Sequence, residues 1–189
     1  AWQLFSEFRD DIANLASQLR TIGDAYGAQK IDLAISTASQ MRLLPENLNW
    51  VEQILCVTLP EQANGLNNAR KKADEATWSI FHEEGNGNGE ANAFKHAYWN
   101  AEASRSIGAS FTKLFADAHE FGWAWENAKD PTPMKMDLHN NSIGRSVGNG
   151  ALYNYDLKQA IKTKQMKGQL WKISSYGYLE PTNLNTMWG

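Results

Sequence analysis

Three of the four histidines stand in short segments rich in acids and amides. His96 lies in "NAFKHAYWNA" (92–101), with Asn100 four residues on. His119 lies in "FADAHE" (115–120), beside Glu120 and two residues after Asp117. His139 lies in "MDLHNNSIGR" (136–145), with Asp137, Asn140, Asn141 and Arg145. Three kinds of chemistry suit these residue types. The groups can form a buried hydrogen-bonded network that fixes helix register. His96, His119 and His139 can converge with Asp117, Glu120 or Asp137 on a divalent metal, zinc or calcium, that activates water. Or one histidine can act as general base without metal, oriented by an aspartate, while Arg145 and the asparagines hold an oxyanion. No HExxH pattern is present, and "GNGNG" (85–89) is not followed by the Gly-Lys-Ser/Thr of a phosphate loop.

The elements that must position these groups read as helices. Leu4, Phe8, Ile12, Leu15 and Leu19 recur at helical steps across 2–22. Further helices are expected at 28–43, 47–59 and 61–82, the second of these ended by Pro60. After the glycine/asparagine loop come the expected core helices, 90–107, 109–126, 136–148 and 154–167. Both sides of 90–107 are largely apolar, so it should be central, with His96 and Asn100 on one covered face. On 109–126 the stripe Phe111, Leu114, Phe115, Ala118 and Gly122 leaves His119 on its flank, best placed to turn inward. On 136–148 one side carries Met136, His139, Asn140, Ile143 and Val147; the other carries Asp137, Asn141, Gly144, Arg145 and Gly148. Glycines at helical spacing cost about 1 kcal/mol each relative to alanine, and are tolerated where something must approach closely. Asp137 and Arg145 are two turns apart, so Asn141 bridges them or each meets a different neighbour. The expected class is all-α, a multi-helix domain with a central polar helix. Its regions are 1–85 (helical), 86–168 (motif-bearing core) and 169–189 (aromatic tail, with one short strand near 170–173). Trp171, Tyr176, Tyr178 and Trp188 should fold back beside Trp123 and Trp125 as a cap; the competing expectation is an exposed membrane-surface or partner-binding patch beside the lysines at 158–172.

Composition excludes several classes. Net charge is −3, which gives no argument for nucleic acid. No apolar run is long enough to span a membrane. Cys56 is the single cysteine, so no disulfide framework exists, and its apolar setting suggests an inert thiol. Lys158, Lys162, Lys164, Lys167 and Lys172 give the last 39 residues a basic bias, expected to be a solvated face. The chain begins at Ala1 rather than methionine, which fits a trimmed or a processed, exported product.

"GNGNGEANAFKHAYWNA", "FADAHE" and "MDLHNNSIGR" together resemble a family of uncharacterised bacterial helical domains found in exported and toxin-like proteins. The matching stretch is 86–148. The resemblance marks His96, Asn100, His119, Glu120, Asp137, His139, Asn140, Asn141 and Arg145 as motif residues. It implies a secreted or periplasmic bacterial domain and supplies no reaction. A looser similarity is to secreted phospholipases A2, in which a helix histidine pairs with an aspartate from an antiparallel helix. Ala97 stands where those enzymes carry a calcium-binding aspartate. The expectation is therefore a hydrolase or toxin-like effector acting on lipid or cell-envelope material, with an immunity protein as a possible partner. His96, His119, Asp137, His139 and Arg145 would be catalytic and Asn100, Asn140 and Asn141 would bind substrate. The competing expectation is a non-enzymatic binding or interaction domain with a structural polar network.

Overall fold

Helical periodicity and glycine punctuation dictate most of the chain, and the computed structural model follows them. It describes residues 9–27, 29–31, 33, 36, 48–127 and 130–182. The order is α1 (Arg9–Tyr26), α2 (Trp50–Thr58), α3 (Pro60–Phe81), α4 (Glu90–Ile107), α5 (Ala109–Asn127), α6 (Thr132–Gly148), α7 (Leu157–Met166), β1 (Trp171–Ile173) and β2 (Leu179–Pro181). Among the described residues the fold is all-α but for one hairpin. The expected helix at 28–43 falls mostly outside the described residues; 29–31, 33 and 36 are helical. No helix among the described residues is long and apolar enough to cross a membrane.

The chain forms two compact units, one of residues 1–64 and 117–131, the other of 65–116 and 132–189. In the first unit, α2 opens with a reciprocal cap. The Asn49 side chain accepts from the backbone amides of Val51 and Glu52, and Glu52 accepts from the Asn49 amide. Asn49 also donates through Nδ2 to the carbonyl of Ala118, at 3.1 Å. Gly122 leaves room for the Asn49 side chain, which a Cβ there would displace. Val51 and Leu55 are buried; Cys56 is half-buried. Burial first, then the nearby Glu52 charge, pushes the Cys56 thiol up to about 11, which keeps it a poor nucleophile.

In the second unit the core gathers Ala73, Ala76, Ala93, Phe94, Ala97, Tyr98, Ala101, Leu157, Ile161 and Leu170. α4 is buried nearly all round, as its two apolar sides require. Phe94, fully buried, packs against Phe81 and Tyr98 with ring centroids 5.7 and 5.5 Å away. Burial of such a ring contributes about 1.5–3 kcal/mol. Glu102 lies inside this helix because it is fully partnered. Arg105 Nη2 donates to both its oxygens (2.7 and 2.8 Å), Lys72 to one (3.0 Å), and the Tyr98 hydroxyl to the other (3.1 Å). Burial pushes the Glu102 carboxyl up, but the hydrogen bonds and charges of Lys72 and Arg105 outweigh it and hold the group below its ordinary value.

α6 begins at Thr132, four residues before the expected start, because Pro133 fits a first helical turn whose amides have no intrahelical partner. α7 begins after Asp156, which caps it by accepting from the Gln159 amide. The tail contains a hairpin rather than a lone strand. Trp171 pairs with Pro181, Lys172 with Glu180 and Ile173 with Leu179. Gly177, at φ 82°, makes the turn that an L side chain would strain. The Ile173 amide donates to the Asn88 carbonyl at 2.8 Å, and Lys172 pairs with Glu90 and Glu180 at 3.1 and 3.3 Å. The expected aromatic cap is only partly found. Trp171 is half-buried, whereas Tyr176 and Tyr178 stand 85% and 74% exposed at the turn. Three-residue strands cannot bury the rings of the turn that joins them. Trp188 and the side chains of Trp123 and Trp125 lie outside the described residues.

Candidate functional site

The site is built where α4 and α6 pack, and small residues set that packing. Gly144 lies against the carbonyl of Ala97, and Gly148 against the carbonyl of Ala101. The contacts pair rising numbers with rising numbers: Asp137 with His96, Asn141 with Asn100, Gly148 with Ala101. The two helices therefore run in the same direction. This departs from the antiparallel arrangement of the looser phospholipase similarity. The α6 side that faces α4 is the glycine side, carrying Asp137, Asn141, Gly144, Arg145 and Gly148.

Backbones this close bring polar side chains into contact, and their donor and acceptor roles can be assigned in sequence. Arg145 can only donate. Its Nη1 lies 3.1 Å from Asn100 Oδ1, which fixes that amide's orientation. Asn100 Nδ2 then donates to the His96 carbonyl at 3.1 Å and to Asn141 Oδ1 at 2.7 Å. Asn141 Oδ1 can only accept, and it also lies 3.3 Å from His96 Nδ1. His96 must therefore carry its proton on Nδ1. In the neutral ring this leaves the Nε2 lone pair facing Asp137 Oδ1, 3.6 Å away. Asn100 and Asn141 are fully buried, while the side chains of His96 and Asp137 each retain 13% exposure. The pair at the end of the chain is thus the part within reach of solvent.

The adjacent residues His139 and Asn140 turn elsewhere. Asn140, fully buried, donates to the Trp171 carbonyl and accepts from the Trp171 amide, both at 2.9 Å. It acts as a side-chain substitute for a neighbouring strand. His139 Nε2 donates to the Gln169 carbonyl at 2.9 Å, and its ring stacks on Trp171 with centroids 3.8 Å apart. Both fasten the tail hairpin to α6. Gln165 similarly donates to the Glu90 carboxylate at 2.9 Å, and Asn92 to the Gly85 carbonyl at 3.0 Å.

In the first unit His119 Nδ1 donates to Glu52 Oε1 at 2.8 Å, and its side chain is 42% exposed. The α5 acids on either side of it, Asp117 and Glu120, are buried, at 3% and 6% exposure. The expectation that His119 would be the inward group is corrected here. The apolar stripe also misplaced Phe111, which is 39% exposed. A single stripe underestimates how much of a helix is covered when its middle is buried all round. His96 is mostly buried, its side chain 13% exposed, whereas that of His119 is 42% exposed. Among the partners missed from sequence, Asn49 and Glu52 had a legible signal in the Asn-x-x-Glu capping box; Gln169 and Trp171 had none.

A family model described as a domain of unknown function (DUF6973) matches residues 53–169, and the chain belongs to that family. No curated protein and no solved structure matches the chain.

Proposed function

We propose that this domain is a hydrolase of an exported bacterial protein, secreted or periplasmic, acting as a toxin-like effector on lipid or cell-envelope material. The observation that carries the reading is the His96 Nε2 lone pair, aimed at the Asp137 carboxylate with its tautomer set from Arg145. A water at Nε2 can give its proton to His96 and attack a polarised carbonyl or phosphoryl centre. The imidazolium so formed is stabilised by Asp137. The sequence resemblance to exported and toxin-like domains supplies the setting, and with it the proposal that an immunity protein accompanies the domain.

A second reading has its own support. Asn100 and Asn141 are fully buried, which a purely structural network in a binding or interaction domain would also require. Two measurements separate them. The purified protein is incubated with phospholipid vesicles and with cell-wall fragments, and it is expressed in a bacterial periplasm. The hydrolase reading expects turnover or toxicity that is lost in His96→Asn and Asp137→Asn while the melting temperature and circular dichroism stay near wild type. A folded wild-type protein that cleaves neither substrate, or toxicity that survives both substitutions, refutes it.

A further inference from the structure

We propose that His96 Nε2 and Asp137 Oδ1 are two ligands of a divalent cation of the zinc type. This rests on the same two side chains as the hydrolase reading and deepens it: with Nε2 bound to the cation, the cation rather than His96 would activate the attacking water. Two electron-rich atoms face each other here, 3.6 Å apart. Asp137 Oδ1 itself is shielded from solvent, while the two side chains each keep 13% exposure. A metal ion between them would bind both atoms at once. At 3.6 Å the contact is longer than a closed hydrogen bond. A charge-assisted N–H···O contact closes to about 2.7–2.9 Å. Metal sharing fits better. Ligands about 2.0–2.2 Å from a tetrahedral zinc stand about 3.4 Å from one another. The imidazole nitrogen selects a borderline metal over calcium or magnesium, which prefer all-oxygen shells.

The rest of the chain has the form that a metal-bound histidine needs. Its other ring nitrogen donates to a fixed acceptor, which holds the ring and its tautomer. Asn141 Oδ1 is that acceptor for His96, itself fixed by Asn100 and Arg145. Asn141 and Asn100 are thus positioning residues for the cation, with water or substrate completing the coordination.

The full chain is stripped with a chelator and titrated calorimetrically with zinc chloride, with calcium chloride in parallel. Melting temperature is followed with and without zinc. One zinc equivalent is expected, with a raised melting temperature and no comparable response to calcium. Asp137→Asn and His96→Gln should abolish stoichiometric binding. Asn141→Ala should weaken it about 10- to 100-fold, and Asn141→Asp, which keeps an acceptor at Nδ1, should retain it. If His96→Gln fails to fold, Asp137→Asn, which removes charge with little change of shape, decides the matter. Absence of zinc binding, or binding unchanged in Asp137→Asn, overturns the proposal. Zinc binding without any turnover supports the cation site and overturns the hydrolase reading. Turnover in excess chelator by a protein that binds no zinc does the reverse.

Discussion

Replacing Gly144 with alanine sets close packing against helix propensity. A methyl added to a helical glycine ordinarily stabilises by about 1 kcal/mol. At Gly144 the new Cβ would lie 2.9 Å from the Ala97 carbonyl carbon and 2.9 Å from Asn100 Cβ, and nearer still to the Ala97 carbonyl oxygen. Ordinary carbon contacts are about 3.5–4.0 Å, so α4 and α6 must part by roughly 1 Å. The obstacle is mostly backbone, which cannot rotate away as a side chain can. Overpacking of this kind costs about 1–3 kcal/mol. The expected net effect is a loss of up to about 2 kcal/mol. Gly23 in α1 is the control, because a Cβ there meets nothing within 4 Å. Gly23→Ala should gain about 0.5–1 kcal/mol. Urea denaturation of both variants, followed by circular dichroism, gives the comparison. A Gly144→Ala protein as stable as Gly23→Ala would show that α4 and α6 do not approach this closely, and the geometry assigned to the site would fall with it.

Two further perturbations probe the supports of the site. Asn140→Leu removes both hydrogen bonds to the Trp171 backbone and should cost about 1–3 kcal/mol. Amide exchange at Trp171 should then accelerate, and unchanged protection would mean that Asn140 does not hold the hairpin. Glu102→Gln should cost about 1.5–3 kcal/mol near neutral pH, since it weakens the bonds to Arg105 and Lys72. The Glu102 carboxyl is held below its ordinary value in the fold, so its contribution is present above the unfolded value of about 4.3 and is lost as pH falls through the folded one. The stability difference between wild type and Glu102→Gln should therefore narrow on acidification below about pH 4; a difference that widens there contradicts the assignment.

The helices were legible where punctuation was strong. Gly89 and Gly108 bracket α4, and the φ of 87° at Gly108 is one that L side chains rarely adopt. The α4-facing side of α6 was legible too, because its repeated glycines would be wasteful on any side that nothing approaches. The reading failed where the answer lay in a distant partner. Asn140 and Asn141 are neighbours of one type, yet one clamps Trp171 and the other holds His96. A 100° step between adjacent helix positions sends them to different neighbours, and sequence names neither neighbour. His139 drew attention as a possible ligand, but its visible work is to stack on Trp171, more than thirty positions away in the chain. The hairpin escaped because strands of three residues are too short to show alternation.

A structural network and a reactive site are not alternatives in this arrangement, because one chain of hydrogen bonds serves both. Arg145, Asn100 and Asn141 lock α4 to α6 and, by the same contacts, fix where His96 carries its proton. Register alone would not need a histidine at the end of that chain. Any side-chain donor reaching Asn141 Oδ1 would complete it, and only an imidazole presents beyond it a second nitrogen with a lone pair. Nor would register need Asp137 opposite that nitrogen. Burying a carboxylate beside a histidine is costly, and an apolar pair of similar volume is often as stable or more so. The expensive choice sits at the end of the chain with residual solvent access, while the links behind it are sealed. Local violations of stability rules concentrate where a protein does its work. The placement of this one singles out His96 and Asp137, among the motif residues, as the pair to test first.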